Sequence, residues 1–382
     1  MIERIFLAVF ASLRKLMAHD KKPKKKKSAA GIAPQASKTS GIPRGAARNV
    51  VTLRSVAAYV GLDPSTVSVV LNDTAPAQAI PQHTKDRIFA AVRELNYQPN
   101  FFARSLRKQR TYTIGVIAEE IGDIYGSMVI SGIEEHLSDK GYFFLTVTHR
   151  HRRERLERYS QLLVQRAVEG LITVDTAVHE TPPLPTVAVA GHNKTKGVTN
   201  VVLDQKKAAQ LALQYLTGQG HERIAFMRGP TASSDADERW GAISTVARAM
   251  SLHIDRDLVI QIEDSPTPQP GYVSARLLLE RKKHFTALFA YNDLAAIGAI
   301  RAFQERGLRV PGDISVMGFD DITGAEFHTP SLTTVRQPLR AMGRTAAEAL
   351  LQKIEHTGNP PAEIAIEPEL VVRESTAAVS KS

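Results

Sequence analysis

Apolar residues near the front of the chain recur every three or four positions, the spacing of a helix buried on one face. The first such stretch covers residues 53–60 and is followed by Gly61, whose freedom to adopt a positive φ ends a helix tightly. A second helix is predicted over residues 64–72, because Asp63 can cap its N-terminus and a proline suits its first position. Two short helices joined by a tight turn predict a helix-turn-helix.

A third helix completes this all-α unit. The second helix would bury Val67 and Leu71, and a helix over residues 81–96 would carry its apolar residues on one face. The stretch "YQPN", residues 97–100, ends it because a residue before proline avoids the helical region.

Beyond residue 110 the pattern changes to short apolar runs without alternation, which is typical of strands buried on both faces. Nine such runs occupy residues 113–118, 143–147, 170–174, 186–190, 198–203, 223–227, 258–262, 287–291 and 314–319. Helical patterns of 10–15 residues separate most of them, which predicts an α/β core with doubly wound parallel sheets. The number of strands suits two sheets, and such folds bind ligands at the carboxyl ends of their strands and between lobes.

The charge is distributed unevenly over the 382 residues. Residues 1–110 hold 20 Lys and Arg against 6 Asp and Glu, a net charge of +14; the rest hold 29 against 33, a net charge of −4. A basic front on a slightly acidic body is the distribution that binding to a phosphate backbone requires. The absence of cysteine excludes disulfides and thiolate metal sites.

The first 49 residues have the composition of a disordered basic extension, rich in Lys, Ala, Ser, Gly and Pro. The apolar run at residues 5–13 is far shorter than the roughly 20 residues that a membrane-spanning helix needs. The lysines follow this run, whereas a signal peptide carries its positive charges before it. We therefore expect a cytoplasmic protein with no membrane partner; a membrane-surface anchor is the alternative for this segment.

Six ordered motifs identify a family resemblance. They are "VTLRSVAAYVGLDPSTVSVVLN", "RIFAAVRELNYQPN", "ARSL", "YLTGQGHERIAFMRGP", "YNDLAAIGAIRAFQERGLRVPGDISVMGFDD" and "PSLTTVRQPLRAMGRTAAEALL". From residue 51 to about residue 373 the chain resembles the LacI/GalR family of bacterial transcriptional regulators. The resemblance implies a DNA-binding headpiece, a hinge helix and a two-lobed core like periplasmic sugar-binding proteins. The boundaries expected are 1–49 for the extension, 50–98 for the headpiece, 99–111 for the hinge, 112–373 for the core and 374–382 for a C-terminal tail.

The resemblance also implies which residues meet DNA. The second helix matches the recognition helix, which lies in the major groove of a pseudo-palindromic operator bound by a homodimer. The expected DNA-binding residues are Thr52, Pro64, Ser65, Thr66, Ser68, Val69 and Asn72 in the headpiece, and Asn100, Ala103 and Leu106 in the hinge. Leu106 matches the leucine that wedges into the minor groove.

Val69 departs from the family pattern, because many relatives carry an arginine there that can pair with guanine. Valine offers only apolar contact, and residues 64–71 contain no Arg, Asn or Gln. We therefore hypothesise that the hinge and the deformability of the DNA carry more of the specificity than in relatives with the arginine.

The family binds its effector between the two lobes of the core. By position, the expected effector-binding residues are Asp123, Tyr125, Asp175, Arg239, Asn292, Asp320 and Gln337. The loop "DIYG" replaces the family's Asn-Pro-Phe-Phe, so Tyr125 keeps one aromatic wall and Gly126 removes another. A sugar or sugar derivative is the family's default effector.

Other functions find less support in the sequence. It contains no GxSxG, P-loop, HExxH or GxGxxG motif, so we expect neither an enzyme nor a cofactor or metal. A sugar-binding protein without a regulatory role, and a DNA binder that has lost its effector site, are the alternatives. The C-terminal residues lack a leucine heptad, which favours a dimer over a tetramer.

Overall fold

The computed structural model describes residues 51–98, 105, 109–122, 124–150, 152–231 and 233–379. The chain divides into two compact units, one ending at Arg110 and one beginning at Thr111. The predicted disordered extension and most of the predicted hinge, residues 99–104 and 106–108, fall outside the described residues.

Over residues 51–98 the first unit forms the helices α1 (Leu53–Val60), α2 (Pro64–Leu71) and α3 (Gln82–Glu94). Gly61 ends α1 in the left-handed region with φ 66°, and the Asp63 side chain caps α2, as the sequence predicts. A 3-10 turn, Ala75–Ala79, connects α2 to α3. The buried side chains of the three helices form one cluster, in which Val67 is fully buried and the predicted core residue Leu71 is only partly so.

The second unit is an α/β core built on two six-stranded sheets, each of which forms one lobe. The first-lobe strands are β1 (Thr113–Ala118), β2 (Phe143–Thr148), β3 (Gly170–Val174), β4 (Thr186–Val189), β5 (Val198–Leu203) and β11 (Glu363–Ile366). Their order is β11-β5-β4-β3-β1-β2, and every pair is parallel. Helices α4 (Ile124–Asp139), α5 (Arg153–Gln165) and α11 (Leu339–Glu355) supply residues to the apolar clusters of this sheet.

The second lobe repeats the arrangement. Its strands are β6 (Ile224–Arg228), β7 (Val259–Gln261), β8 (Ala287–Phe289), β9 (Ser315–Asp320), β10 (Thr333–Arg336) and β12 (Glu369–Val371), in the order β12-β10-β9-β8-β6-β7. Its helices are α6 (Gln205–Gly218), α7 (Ser234–Ala249), α8 (Gln269–Glu280), α9 (Asp293–Glu305) and α10 (Thr323–Phe327). Only β12 runs antiparallel to its neighbour among the strand pairs of the described residues.

The chain passes between the lobes three times. It leaves the first lobe after β5, returns to it between β10 and α11, and leaves again between β11 and β12. Both lobes are therefore completed by C-terminal elements, so each depends on chain that is distant in sequence.

All nine predicted strands form, but not all are buried on both faces. Phe143, at the start of β2, is 64% exposed because β2 lies at the edge of its sheet, so the prediction of burial was wrong there. The sequence analysis missed β10, β11 and β12, which have only three or four residues each. The antiparallel β12 also corrects the expectation of purely parallel sheets.

Helices α4 and α11 approach each other through glycine. A Cβ atom on Gly132 of α4 would lie 2.0 Å from the carbonyl oxygen of Arg340, and one on Gly343 of α11 would lie 2.0 Å from the carbonyl oxygen of Val129. Two helices can lie this close only where both lack a side chain at the crossing. The reciprocal pair thus joins the C-terminal helix to the first lobe.

The segment predicted as a tail packs on the second lobe as far as Val379. The Ser375 side chain is fully buried and donates to the carbonyl oxygen of Val316 at 2.6 Å, and the Val379 amide donates to Gln219. Within the described ranges, no helix has the length and apolar character needed to cross a membrane.

Candidate effector cleft and DNA-binding helix

A cleft lies between the two lobes of the core, at the carboxyl ends of their strands. It has a volume of about 850 Å³, its open mouth included. The cleft is lined by the residues that follow β1, β3, β7 and β8 and by the last residue of β9. The starts of α4 and α7 complete the lining. Four of the predicted effector residues line it from loops and strand ends or from α4: Tyr125, Asp175, Asn292 and Asp320. This is the position where open α/β sheets bind ligands.

Arg239 enters the cleft from α7 and is held on all sides, with only 4% of its surface exposed. Its Nη2 donates to Oδ2 of Asp235, one helical turn earlier, at 2.6 Å, and its Nη1 donates to the carbonyl oxygen of Tyr291 at 2.7 Å. The guanidinium carbon lies 3.7 Å from the centre of the Phe319 ring. These contacts fix the guanidinium before any ligand arrives.

Asp235 is the centre of a buried network that the sequence analysis missed. Besides Arg239, it accepts a hydrogen bond from Gln205 at 2.9 Å and shares one with His192 at 2.8 Å. Burial alone would raise the pKa of Asp235, but the Arg239 charge and these hydrogen bonds outweigh it and lower the pKa to about 2. Asp235 is therefore ionised and balances the charge of Arg239.

Asp320 ends β9 in an unusual backbone conformation, with φ 107°. Its Oδ1 accepts a hydrogen bond from Gln337 at 2.6 Å. Gln337 is not among the residues lining the cleft, so in this structure it contacts the carboxylate rather than the cavity. Non-glycine residues at positive φ cost about 1–3 kcal/mol and concentrate at functional sites.

A buried acid supports the loop after Asp320. Asp293 accepts hydrogen bonds from the Thr334 hydroxyl at 2.6 Å and from the Ile322 amide at 2.8 Å. Burial, with a smaller effect from Asp320, raises the pKa of Asp293 well above its usual range. The loop that carries Asp320 is thus tied to the start of α9.

The remaining predicted residues differ in what they offer a ligand. The Asn292 side-chain oxygen caps α9 by accepting from the Ala295 amide at 2.9 Å, so the amide nitrogen is the group available to a ligand. The Tyr125 hydroxyl is buried and has no hydrogen-bond partner among the described residues. Asp175 follows β3 at φ 44°. Asp123 lies outside the described residues.

Besides Asp235 and the rim residue Glu120, two further acids line the cleft and were not predicted: Glu119, directly after β1, and Asp264, in the loop after β7. The signal was present in the sequence, because both follow apolar runs whose carboxyl ends face the cleft. Burial, together with the neighbouring Asp175 and Asp264, raises the pKa of Glu119 to about 9. Glu119 is therefore protonated at neutral pH.

The predicted DNA-binding residues of the headpiece lie on or next to α2, apart from Thr52 at the start of α1. Ser65 is exposed, Thr66 and Val69 are partly exposed, and Ser68 is mostly buried, at 8%. Asn72 is exposed, although its Nδ2 donates to the Ser68 carbonyl oxygen at 2.6 Å, and Thr52 forms a capping box with Ser55 at the start of α1. Ser68 thus presents the least surface of the predicted contacts. The hinge residues Asn100, Ala103 and Leu106 lie outside the described residues.

Comparisons with known proteins agree with both parts of this arrangement. Residues 52–100 match the bacterial regulatory proteins of the lacI family, and residues 213–376 match the periplasmic binding protein-like domain. The transcriptional repressor PurR of Haemophilus influenzae is 31% identical over 340 residues, which cover 86% of this chain and all of that protein. The chain belongs to the LacI family.

Solved structures of LacI-family members share the fold. A Lac repressor dimer bound to operator and the anti-inducer ONPF has a TM-score of 0.77 at 26% identity, covering 86% of this chain and 99% of that one. The regulator CelR in complex with cellobiose has a TM-score of 0.62 at 30% identity, covering 85% and 99%. As a LacI-family member, this chain is a DNA-binding transcriptional regulator modulated by a small-molecule effector.

Among the residues that the structure describes, no three or more His, Asp or Glu side chains are arranged to hold a metal ion. The chemistry available in the cleft is that of hydrogen bonds, one guanidinium and several carboxyl groups.

Proposed function

We propose that this chain is a repressor that binds a pseudo-palindromic operator as a homodimer. In this proposal a polyhydroxylated effector binds between the lobes of the core and changes the affinity for the operator. The similar Lac repressor was solved as a dimer on its operator, and the similar CelR was solved with a sugar. The protein would act in the cytoplasm, where the operator is, and would catalyse no reaction.

The observation that carries the effector site is the fixed Arg239 beside Asp320. Arg239 has an Nε–H without a partner among the described residues, and Asp320 is held in place by Gln337. A donor and an acceptor fixed in one cleft are what adjacent sugar hydroxyls require, because each hydroxyl both donates and accepts. Asn292, Tyr125 and Asp175 would complete the contacts. A pre-formed site of this kind loses little conformational entropy on binding.

The operator side of the proposal rests on α2. Its exposed positions, Ser65, Thr66 and Val69, would face base edges, while Thr52 and Asn72 would contact phosphates. The hinge residues Asn100, Ala103 and Leu106 would then contribute in the minor groove. A base-by-base operator scan tests this assignment. One dominant guanine contact that is lost on changing Ser65 would contradict the weak direct readout predicted for this helix.

The proposal is tested by joining the two sites in one assay. An operator is first selected from random duplexes with the purified protein, and sugars, sugar derivatives and polyols are screened for those that raise the unfolding midpoint. Each stabilising compound is then tested for its effect on operator affinity by fluorescence anisotropy. Coupling of about 5-fold or more, reciprocal between the two ligands, is expected.

The control separates the cleft from general effects of charge. Asp320→Asn should abolish the response, and it should fold normally because asparagine tolerates positive φ and its oxygen can still accept from Gln337. Asp313→Asn removes the same charge from an exposed Arg309 pair outside the cleft and should leave the response intact. Equal responses from both variants would contradict the assignment of the effector site.

A further inference from the structure

Three carboxyl groups meet at one corner of the cleft and bridge the two lobes. Glu119 and Asp175 follow β1 and β3 of the first lobe, and Asp264 follows β7 of the second. Burial and the neighbouring Asp175 and Asp264 carboxyl groups raise the pKa of Glu119. Carboxyl groups that face one another in a partly buried cleft favour a proton on one of them or a cation between them.

Negative groups outnumber positive ones on the described cleft lining. Six carboxyl groups line it, whereas Arg239 is its one cation. Asp235 already neutralises Arg239 at 2.6 Å, and Glu120 at the rim pairs with Arg150 at 3.8 Å. The guanidinium therefore has little net charge with which to attract an anion, and a phosphate or carboxylate would meet the remaining acids.

Two buried polar groups in the same cleft point to a ligand. The Tyr125 hydroxyl lies within electrostatic reach of Asp175, Asp235 and Asp320, and it has no partner among the described residues. The Nε–H of Arg239, a side chain that is 96% buried, also lacks one. Because a buried polar group without a hydrogen bond is destabilising, both groups are suited to bind ligand hydroxyls.

We propose that Glu119, Asp175 and Asp264 form a subsite for a protonated amine, and that the effector is a polyhydroxylated amine such as an amino sugar. This inference rests on the proposed function of the cleft as the effector site. The ammonium group would donate its three N–H bonds to the three carboxyl groups, while the hydroxyls would contact Arg239 and Tyr125. The proton on Glu119 would leave to solvent as the ammonium group takes its place.

Matched pairs of compounds test the choice of an amine directly. D-glucosamine with D-glucose, D-galactosamine with D-galactose and D-mannosamine with D-mannose each differ only in one amino group for one hydroxyl. Titration calorimetry on the full-length protein should give a dissociation constant at least about tenfold lower for the amine of one pair, equivalent to about 1.4 kcal/mol. D-glucuronate, which carries a carboxylate, should not bind.

The released proton gives a second readout that a merely structural role would not produce. If Glu119 loses its proton on binding, the heat of amine binding should differ between phosphate and MOPS buffers, and the affinity should rise from pH 5 to pH 7, a range in which the amino group of these sugars is mostly charged. The charged groups that face Glu119 are Asp175 and Asp264. Glu119→Gln should abolish the buffer dependence.

The matched control for Glu119→Gln is Glu263→Gln. Glu263 is exposed, precedes Asp264 in sequence and does not line the cleft. The Glu263→Gln protein should therefore keep both the preference for the amine and the release of a proton on binding. Glu119→Gln should lower the preference at least about tenfold. It should fold normally, because glutamine has the shape of the protonated acid that it replaces.

The outcomes separate this inference from the proposed function. A neutral sugar that binds as tightly as its amine, with a response lost in Asp320→Asn, would overturn the amine subsite and leave the proposed function standing. Failure of every amine to bind would overturn the subsite and show that a proton alone holds this corner. Amine binding with no effect on operator affinity would support the subsite and contradict the proposed function.

Discussion

Arg239 and Asp235 form the best-defined pair of charged side chains in the cleft. Both are almost fully buried, and Gln205 and His192 satisfy the second oxygen of the carboxylate. Such a pair adds little stability compared with apolar packing, but it fixes the position of the guanidinium. We infer that its value to the protein lies in holding a ligand-binding group still.

Asp235→Asn tests this description. Removing one partner leaves the Arg239 charge buried and uncompensated. The free energy of unfolding measured with urea at pH 7 should therefore fall by about 3–5 kcal/mol. The pKa of Asp235 is lowered, so its stabilising effect is present above the unfolded pKa of about 4 and is lost as pH falls through about 2. The difference between wild type and variant should shrink over that range.

Asp237→Asn is the matched control on the same helix. Its pair with Arg228, at 2.8 Å, is largely exposed, with 58% of the Asp237 side chain accessible. Loss of an exposed pair costs less than about 1 kcal/mol. Similar losses for the two variants would contradict the buried network.

Glu119 should make stability depend on pH in the opposite sense. Its folded pKa is raised from 4.5 to about 9, so the folded state holds a proton that the unfolded state has lost. The favourable contribution is fully present below pH 4.5 and is lost as pH rises through about 9. Between pH 5 and 9, the free energy of unfolding of Glu119→Gln should rise relative to that of wild type by no more than about 1.4 kcal/mol per pH unit.

The measurement is the unfolding midpoint of both proteins across this range, with Glu263→Gln as the control that should run parallel to wild type. A constant difference between Glu119→Gln and wild type would mean that Glu119 is ionised in the folded state. The acid cluster would then not be held by a proton.

The sequence located several of these residues but not their electrostatics. Asp175, Asn292 and Asp320 were identifiable because the family resemblance matches them to its effector pocket, and each lies at the carboxyl end of a strand or up to three residues beyond it. The raised pKa of Glu119 depends on Asp264, which the second lobe brings across the cleft from 145 positions away. Positive φ at Asp320 is likewise a property of the folded loop.

Among the elements, α4 and α11 place a strict requirement on sequence where they cross. Each contributes a glycine at their crossing, and a Cβ on Gly132 would overlap the carbonyl oxygen of Arg340 at 2.0 Å. Gly132→Ala should therefore force the helices apart and destabilise the core by about 1–3 kcal/mol. Chemical denaturation of the full-length protein measures the loss.

Gly241→Ala is the control within α7. It lies on an exposed helical surface with no atom within 4 Å of an added Cβ, so alanine should be neutral or stabilise by up to about 1 kcal/mol. Equal effects at the two positions would mean that helix propensity, rather than the helix crossing, sets the result.

Secondary structure was predictable to different degrees for physical reasons. The helix-turn-helix was readable because Gly61, Asp63 and Pro64 mark its turn and cap locally. Most strands were readable because burial on both faces makes them continuously apolar. Strands β11 and β12 are short and carry Glu at exposed positions, so only their pairing with distant partners defines them.

At the scale of the whole molecule, the two lobes share three chain crossings and a cleft lined from both sides. A ligand that bridges Glu119 of one lobe and Arg239 of the other would favour one relative position of the lobes. Such differential affinity is what allows an effector to shift a conformational equilibrium. The N-terminal region that carries the DNA-binding helix is basic, whereas the core that carries the effector cleft is slightly acidic.

The central claim, that a ligand in this cleft controls operator binding, is tested most directly by one measurement. Operator affinity is determined with and without a compound that stabilises the protein, in wild type, Asp320→Asn and Asp313→Asn. The account predicts a change of about 5-fold or more in wild type and Asp313→Asn and none in Asp320→Asn. An operator affinity that no stabilising compound alters, or one that changes equally in all three proteins, would contradict it.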